Sequence, residues 1–389
     1  MKKRIIGLVL AAICLCLAAC AEADPPPSTT APIVTTAPTQ APDPPQDPDP
    51  VPQVRILNTD PDSQQTWENL AEEYTLATGI EAIIVTDAQN ATLLSVSSPE
   101  ELPQQCVDLS TSNACTQLMS QELTLHDNQG SVLAVANQIE VYGLVYNSTL
   151  LAQTAHTRDD IRNLSNLTEV VYAITDNSES LGFSAFARVD ADAHFALQLT
   201  AMEGDPRNLV ELILNNTTCD PMSITDGTKT EALEDFLEGR AVFFLAGSGD
   251  QEALATIGTE NIGVLPVYTG LENEENQTLA VAARSYWCVD ASAEPEDIDA
   301  TLAFLDFLTS PRDDGTVPVD DLRQMSPFRH ANYVSNIPQQ VLRSDVALGR
   351  VPTVCPYFEQ APNGLTEALM AYAADPSDDH WSQIRSFLS

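Results

Sequence analysis

The groups able to do chemistry in this 389-residue chain are carboxylates, phenols and amides, without an assembled nucleophile or metal cluster. Its five histidines, at 126, 156, 194, 330 and 380, show neither H-x-x-x-H nor H-E-x-x-H spacing, so no zinc-hydrolase helix is indicated. No C-x-x-C occurs among the eight cysteines, which excludes a zinc ribbon or thioredoxin-like centre. Neither a P-loop nor the G-x-S-x-G of a nucleophile elbow is present. No metal and no cofactor is implied. With 56 Asp and Glu residues, some carboxylate pair at glycosidase spacing is inevitable, so such a pair carries no information. What remains is chemistry for holding hydroxyl groups. Asp60 and Asp62 lie in the loop Asn58-Thr59-Asp60-Pro61-Asp62-Ser63. Ser248 lies in Ala246-Gly247-Ser248-Gly249-Asp250, where glycines let backbone N–H groups approach a ligand or simply make a tight turn.

Elements must position these groups. Val54–Leu57 has the composition of a strand. Gln64–Thr78 places Trp67, Leu70, Ala71 and Tyr74 at i, i+3, i+4 and i+7, an amphipathic helix, with Gly79 suited to its C′ position. Ile80–Val85 is a second strand, and the βαβ unit implies a parallel sheet. Ligands of such sheets gather beyond the carboxyl ends of the strands, where the Asp60–Ser63 loop falls. Asp62 or Ser63 as a plain helix cap is an equal reading. Ala232–Glu238 is helical and Gly239 can end it before the strand Arg240–Leu245. Pro295, at the first position of a helix running through Leu308, follows the strand Ser285–Val289. Adjacent Tyr286 and Trp287 point to opposite faces of that strand, one toward the core and one toward a cleft.

Composition narrows the partners. The net charge is −39 and, after residue 4, Lys229 is the only lysine, which excludes nucleic acid and anionic lipid as binding surfaces. Lys2, Lys3 and Arg4 precede an apolar run, Ile5–Ala19, too short to span a bilayer and suited to a signal peptide. It ends in Leu17-Ala18-Ala19-Cys20, which resembles the lipobox of bacterial lipoproteins. The resemblance implies cleavage after residue 19 and lipidation of Cys20. Residues 24–53 hold eleven of the 26 prolines and have little to bury, so residues 20–53 are expected to be a disordered linker. At ~3.1 Å per residue it can hold a domain up to about 90 Å from the membrane. Of the cysteines beyond Cys20, five is an odd number, so at least one stays unpaired within a single chain. Cys106 and Cys115 are close enough to close a short loop, and Cys288 with Cys355 is a candidate long-range pair.

From residue 54 onward, the order of segments resembles the extracellular solute-binding proteins of bacterial ABC importers, in the carbohydrate-binding class that includes maltose-binding protein. The markers are Ile139-Glu140-Val141-Tyr142-Gly143-Leu144-Val145-Tyr146-Asn147, Phe236-Leu237-Glu238-Gly239-Arg240-Ala241-Val242-Phe243, Ile262-Gly263-Val264-Leu265-Pro266, and the helix ending Leu308-Thr309-Ser310-Pro311. The closing stretch from Ala371 to Trp381 adds to them. Where many relatives carry an Asn and a Trp after the Phe243-Phe244 strand, this chain has Ala246 and Gly249.

The resemblance implies a type II periplasmic-binding-protein-like α/β fold. Two lobes, about 54–141 with 264–320 and about 142–263 with 321–389, close on a central cleft by hinge motion. Strands cross near Ile139–Tyr146 and Val264–Pro266. A sugar needs planar hydroxyl-binding groups and an aromatic face for its C–H side. Glu140, Asp60 and Asp62 are the expected acceptors, with Ser248 beside them. Tyr142 and one of Tyr286 or Trp287 are the expected platforms, and Phe328 and Arg329 come from the third connection between lobes. The implied protein is a monomer on the outer face of the cell membrane, passing a solute, most simply a carbohydrate, to a permease without catalysis. A secreted glycan hydrolase and a surface adhesin are the alternatives.

Overall fold

The computed structural model describes residues 51–189, 206–218, 229–268, 277–357 and 362–387; the expected signal peptide, Cys20 and the expected linker up to residue 50 lie outside them. The chain enters through β1 (Gln53–Leu57), α1 (Gln64–Thr78) and β2 (Glu81–Val85), and β1 and β2 pair in parallel as the pattern predicts. Helix α1 buries Trp67, Leu70, Ala71 and Tyr74 and ends on Gly79 at φ +77°, whose N–H returns to the Thr75 carbonyl at 2.8 Å. Strands β3 (Leu93–Val96) and β4 (Thr124–His126) lead into β5 (Val132–Asn147), the longest strand described.

The sixteen residues of β5 carry the architecture. Along Val135–Tyr142 it runs antiparallel to β9 (Ala280–Val289). From Tyr142 it pairs with β7 (Ala241–Gly247) on one side, and from Leu144 with β8 (Ile262–Leu265) on the other, where β9 has left off. Gly143 sits at this exchange of partners. A Cβ there would lie 2.7 Å from Val264 Cγ1 and 2.8 Å from the Leu265 carbonyl oxygen, so only glycine fits without displacing backbone. One strand thus belongs to two groups of neighbours, and β6 (Ser184–Phe186) extends the far edge beyond β7.

Two large apolar clusters lie on this frame. The first gathers α1 and α5 (Pro295–Thr309) against the sheet: Tyr74 meets Phe304 edge-on at 5.0 Å, and Trp67 meets Trp287 at 6.2 Å. It extends as far as Phe236 on α4 (Lys229–Leu237) and Phe244. The second is built from α2 (Leu164–Asp176) and α3 (Arg207–Leu214), together with the C-terminal helices Leu365–Ala374 and Asp378–Arg385, and includes Phe186, Phe243, Tyr372 and Trp381. Pro295 occupies the first turn of α5, with Glu296 and Asp297 at its positive end; Asp297 also accepts from the Gln53 N–H and from Arg55, both at about 2.8 Å or less. The fold is α/β and two-lobed.

The stretch Met325–Arg329 differs from its expected lobe. The Met119 N–H donates to the Pro327 carbonyl and the Arg329 N–H to that of Gln117, while the Ile139 N–H donates to Met325. Phe328 stacks on Trp287 at 5.9 Å. This stretch is hydrogen-bonded to segments from the range 54–141, whereas the resemblance puts 321–389 with the other lobe.

Candidate functional site

Alternation along β5 sends Ile139 and Val141 into the first apolar cluster and Glu140 to the opposite face. There Glu140, 7 % exposed, lines a cavity of about 190 Å³ with Gln138, Ser248, Gly249, Arg284 and Asn336. The phenol of Tyr142 hydrogen-bonds the Glu140 carboxylate from behind. Burial first, then the charge of Glu140 and that hydrogen bond, push the phenol far above its usual range, so it remains a donor. Glycine at 249 has a reason: a Cβ there would lie 3.2 Å from Glu140 Oε1.

The loop after β7 is pinned to this place. Asp250 Oδ2 accepts from the Gly247 N–H at 3.0 Å, Ser248 Oγ accepts from the Val141 N–H at 3.3 Å, and the Ser248 carbonyl accepts from Asn336 Nδ2 at 3.2 Å. Asn336 also caps α6 (Ile337–Ala347), its Oδ1 accepting from the Gln339 N–H at 2.9 Å. Three separate segments of the chain therefore meet at Ser248. From α6 the half-buried Arg343 donates to the Ser326 and Phe328 carbonyls at 2.7 and 2.8 Å, holding the connection beside the cavity; desolvation lowers its guanidinium to about 10.

Arg284 projects from β9 on the same side and lies over the ring of Tyr357, 5.4 Å from its centroid. Tyr357 follows β10 (Thr353–Val354), a two-residue strand parallel to β9, and packs against a small cluster of Tyr142, Ala280, Ala282 and Cys355.

Asp60 and Asp62 line an adjoining cavity of about 620 Å³, along with Asp320, Asp321 and Tyr333; Arg323 borders both cavities. Asp60 organises its own loop: its Oδ1 accepts from the Asp62 N–H at 3.0 Å, and its own N–H donates to Asn58 Oδ1 at 3.2 Å. Ser63 stands at the N-cap of α1 without capping it, its hydroxyl donating instead to Asn58 or Asp60.

Of the residues expected from sequence, Glu140 and Ser248 come together, Asp60 and Asp62 lie in the neighbouring cavity, and Tyr142 supports Glu140 from within. Its ring, 1 % exposed, is not a platform. Trp287 is equally buried between Trp67 and Phe328, and Phe328 is itself core. Tyr286 is half-buried among Leu94, Val96 and Cys288 and lines neither cavity. Arg329 donates to the Leu118 carbonyl at 2.9 Å and serves packing. The expected disulfides are also corrected. Cys115 lies in the first apolar cluster, Cys355 beside Tyr142, and Cys106 with Cys288 in a third place, so neither Cys106–Cys115 nor Cys288–Cys355 is formed. Arg284, Asn336 and Tyr357 carry no sign in the sequence that would mark them. Their placement depends on pairings between segments tens of residues apart.

Among the described residues no group of His, Cys, Asp and Glu is arranged to hold a metal, and no helix is long and apolar enough to cross a membrane. Comparison with curated proteins gives no match. Among solved structures, the chain is similar to the apo-form of RafE from Streptococcus pneumoniae, at 12% identity over 88% of this chain and 98% of that one, with a TM-score of 0.63. It is similar to a family 1 extracellular solute-binding protein from Bifidobacterium longum subsp. infantis, at 11% identity over 86% and 97%, TM-score 0.62. RafE in complex with raffinose aligns at 12% identity over 86% and 98%, TM-score 0.51. These likenesses fix the fold. The model of the bacterial extracellular solute-binding proteins matches residues 55–316, two thirds of the sequence, and the chain belongs to that family.

Proposed function

We propose that this protein captures a saccharide in the cleft bordered by Glu140, Ser248 and Arg284 and delivers it, unaltered, to the membrane subunits of an ABC importer. The observation that carries the reading is the grouping at the β5 crossing. An acceptor carboxylate backed by a phenol, a serine, amides and an arginine converge where one strand serves both sets of partners, with the Tyr357 ring beneath that arginine. That is the mixture of planar polar groups and an aromatic face that a sugar ring requires. The printed ligand of a structural neighbour, raffinose for RafE, supports the same class.

Tyr357 takes the stacking role that the chain lacks at Gly249. The protein acts outside the cytoplasm, tethered through lipid on Cys20, with residues 20–53 as spacer and the domain working as a monomer. A thermal-shift screen of the purified domain against mono- and oligosaccharides tests this. A ligand at a hundred times its Kd adds about 2.7 kcal/mol to stability and raises the melting temperature by several degrees. A screen in which no saccharide moves the transition, while another solute class does, overturns the saccharide assignment.

A further inference from the structure

The family works outside the cytoplasm, where thiol pairs persist as disulfides. Four cysteines are described. Cys115 and Cys355 are each buried and separate from the other thiols, with Cys115 against Gln121 and Cys355 against the Val281 carbonyl. Cys106 and Cys288 are different. The Val107 N–H donates to the Val289 carbonyl at 3.0 Å, and the Ala291 N–H donates to that of Gln105 at 3.1 Å. These two bonds bracket an antiparallel bridge between Cys106 and Asp290, which is therefore a non-hydrogen-bonded pair, the closer of the two kinds. Two residues along β9 and on the same face as Asp290 stands Cys288. Its side chain shares a small apolar cluster with those of Cys106, Leu94, Val96 and Leu102, close enough for the two thiols to influence each other's ionisation, and the Cys106 thiol donates to the Pro103 carbonyl at 3.8 Å.

We propose that Cys106 and Cys288 are joined by a disulfide in the exported protein, pinning the segment before Val107 to the end of β9. The proposal rests on the exterior location of the family and is independent of which solute is bound. The two thiols differ in readiness. The nearby Cys288 thiol lowers the Cys106 thiol, which is also the more exposed, while Cys288 is raised by that same proximity and by burial. Cys106 thiolate is therefore the attacking group. It displaces one sulfur of the disulfide form of a thiol–disulfide oxidoreductase, giving a mixed disulfide and a thiolate leaving group. Cys288 then loses its proton and attacks the Cys106 sulfur, expelling the second oxidoreductase sulfur. The protein loses two electrons and two protons, and the oxidoreductase disulfide gains both as a dithiol. Only the half-buried Cys106 has to meet the oxidoreductase; the buried Cys288 attacks from within the fold.

The resulting link spans 182 residues of sequence, a long loop whose closure restricts the unfolded chain. The test uses full-length exported protein purified without reductant, denatured, alkylated and mapped by peptide mass spectrometry. A cross-linked peptide pair carrying Cys106 and Cys288, lighter by two hydrogens than its reduced halves, is expected, with Cys115 and Cys355 alkylated. Reductant should lower the melting temperature of this protein by about 5–10 °C and leave a Cys106→Ser variant unmoved. Recovery of Cys106 and Cys288 both alkylated, or of either joined to another cysteine, overturns the proposal. So does a melting temperature that reductant does not change.

Discussion

Glu140 sits in a cavity wall with its carboxylate held by Tyr142, so its geometry is set before any ligand arrives. A hydroxyl donating to an ionised carboxylate contributes roughly 1.5–3 kcal/mol. Glu140→Ala should weaken saccharide binding by about ten- to a hundredfold and, by removing the carboxylate that the buried Tyr142 phenol bonds, lower apo stability by about 1–3 kcal/mol. Titration calorimetry and melting curves on one preparation decide this; unaltered affinity with a clear loss of apo stability makes Glu140 a structural residue. Asp235 makes a second residue-scale case. It is fully buried and its carboxylate accepts from Arg188, Thr218 and Arg240. Burial alone raises the carboxyl, but these hydrogen bonds outweigh it and hold it at about 2, below the unfolded value near 3.9. Its contribution to stability is therefore complete above about pH 4 and lost as pH falls toward 2. Asp235→Asn should flatten the acid limb of a stability-versus-pH curve measured in urea, and an unchanged limb contradicts the assignment.

At the scale of elements, the strand exchange at Gly143 is the feature on which both lobes depend. Gly143→Ala forces a methyl against the Leu265 carbonyl and Val264, so the unfolding midpoint in denaturant should fall by an amount equivalent to about 1–3 kcal/mol. An unshifted midpoint would mean that the crossing yields more easily than its packing indicates. Much of the framework was legible in the sequence. The period of Trp67, Leu70, Ala71 and Tyr74, with Gly79 behind them, marked α1, and Pro295 marked the start of α5, because local pattern decides such elements. Glu140 was legible through the strand it occupies. The aromatic platform was not. Adjacent strand residues do alternate, but both faces of β9 are covered here, so Trp287 is core and Tyr286 is packed in a side cluster rather than open to the cleft. Tyr357 comes under Arg284 only because two residues of β10 pair with Ala280 and Val281, a long-range event that no local pattern announces.

The whole molecule is read as a clamp on a tether. Closure around a ligand follows only from the ligand's greater affinity for the closed form, so small-angle scattering should show a smaller radius of gyration at saturating saccharide than without it; identical profiles would remove the clamp motion. Cys20→Ser should release the protein from washed membranes, and persistence in the membrane fraction would contradict a lipid anchor. The most direct test of the central claim is titration calorimetry of the purified domain with a saccharide that raises its melting temperature, followed by recovery of the sugar. The account predicts saturable binding at one site per chain and a sugar recovered chemically intact. Absence of a binding heat across temperatures together with no competition by any saccharide, or recovery of a hydrolysed product through multiple turnovers, would contradict it.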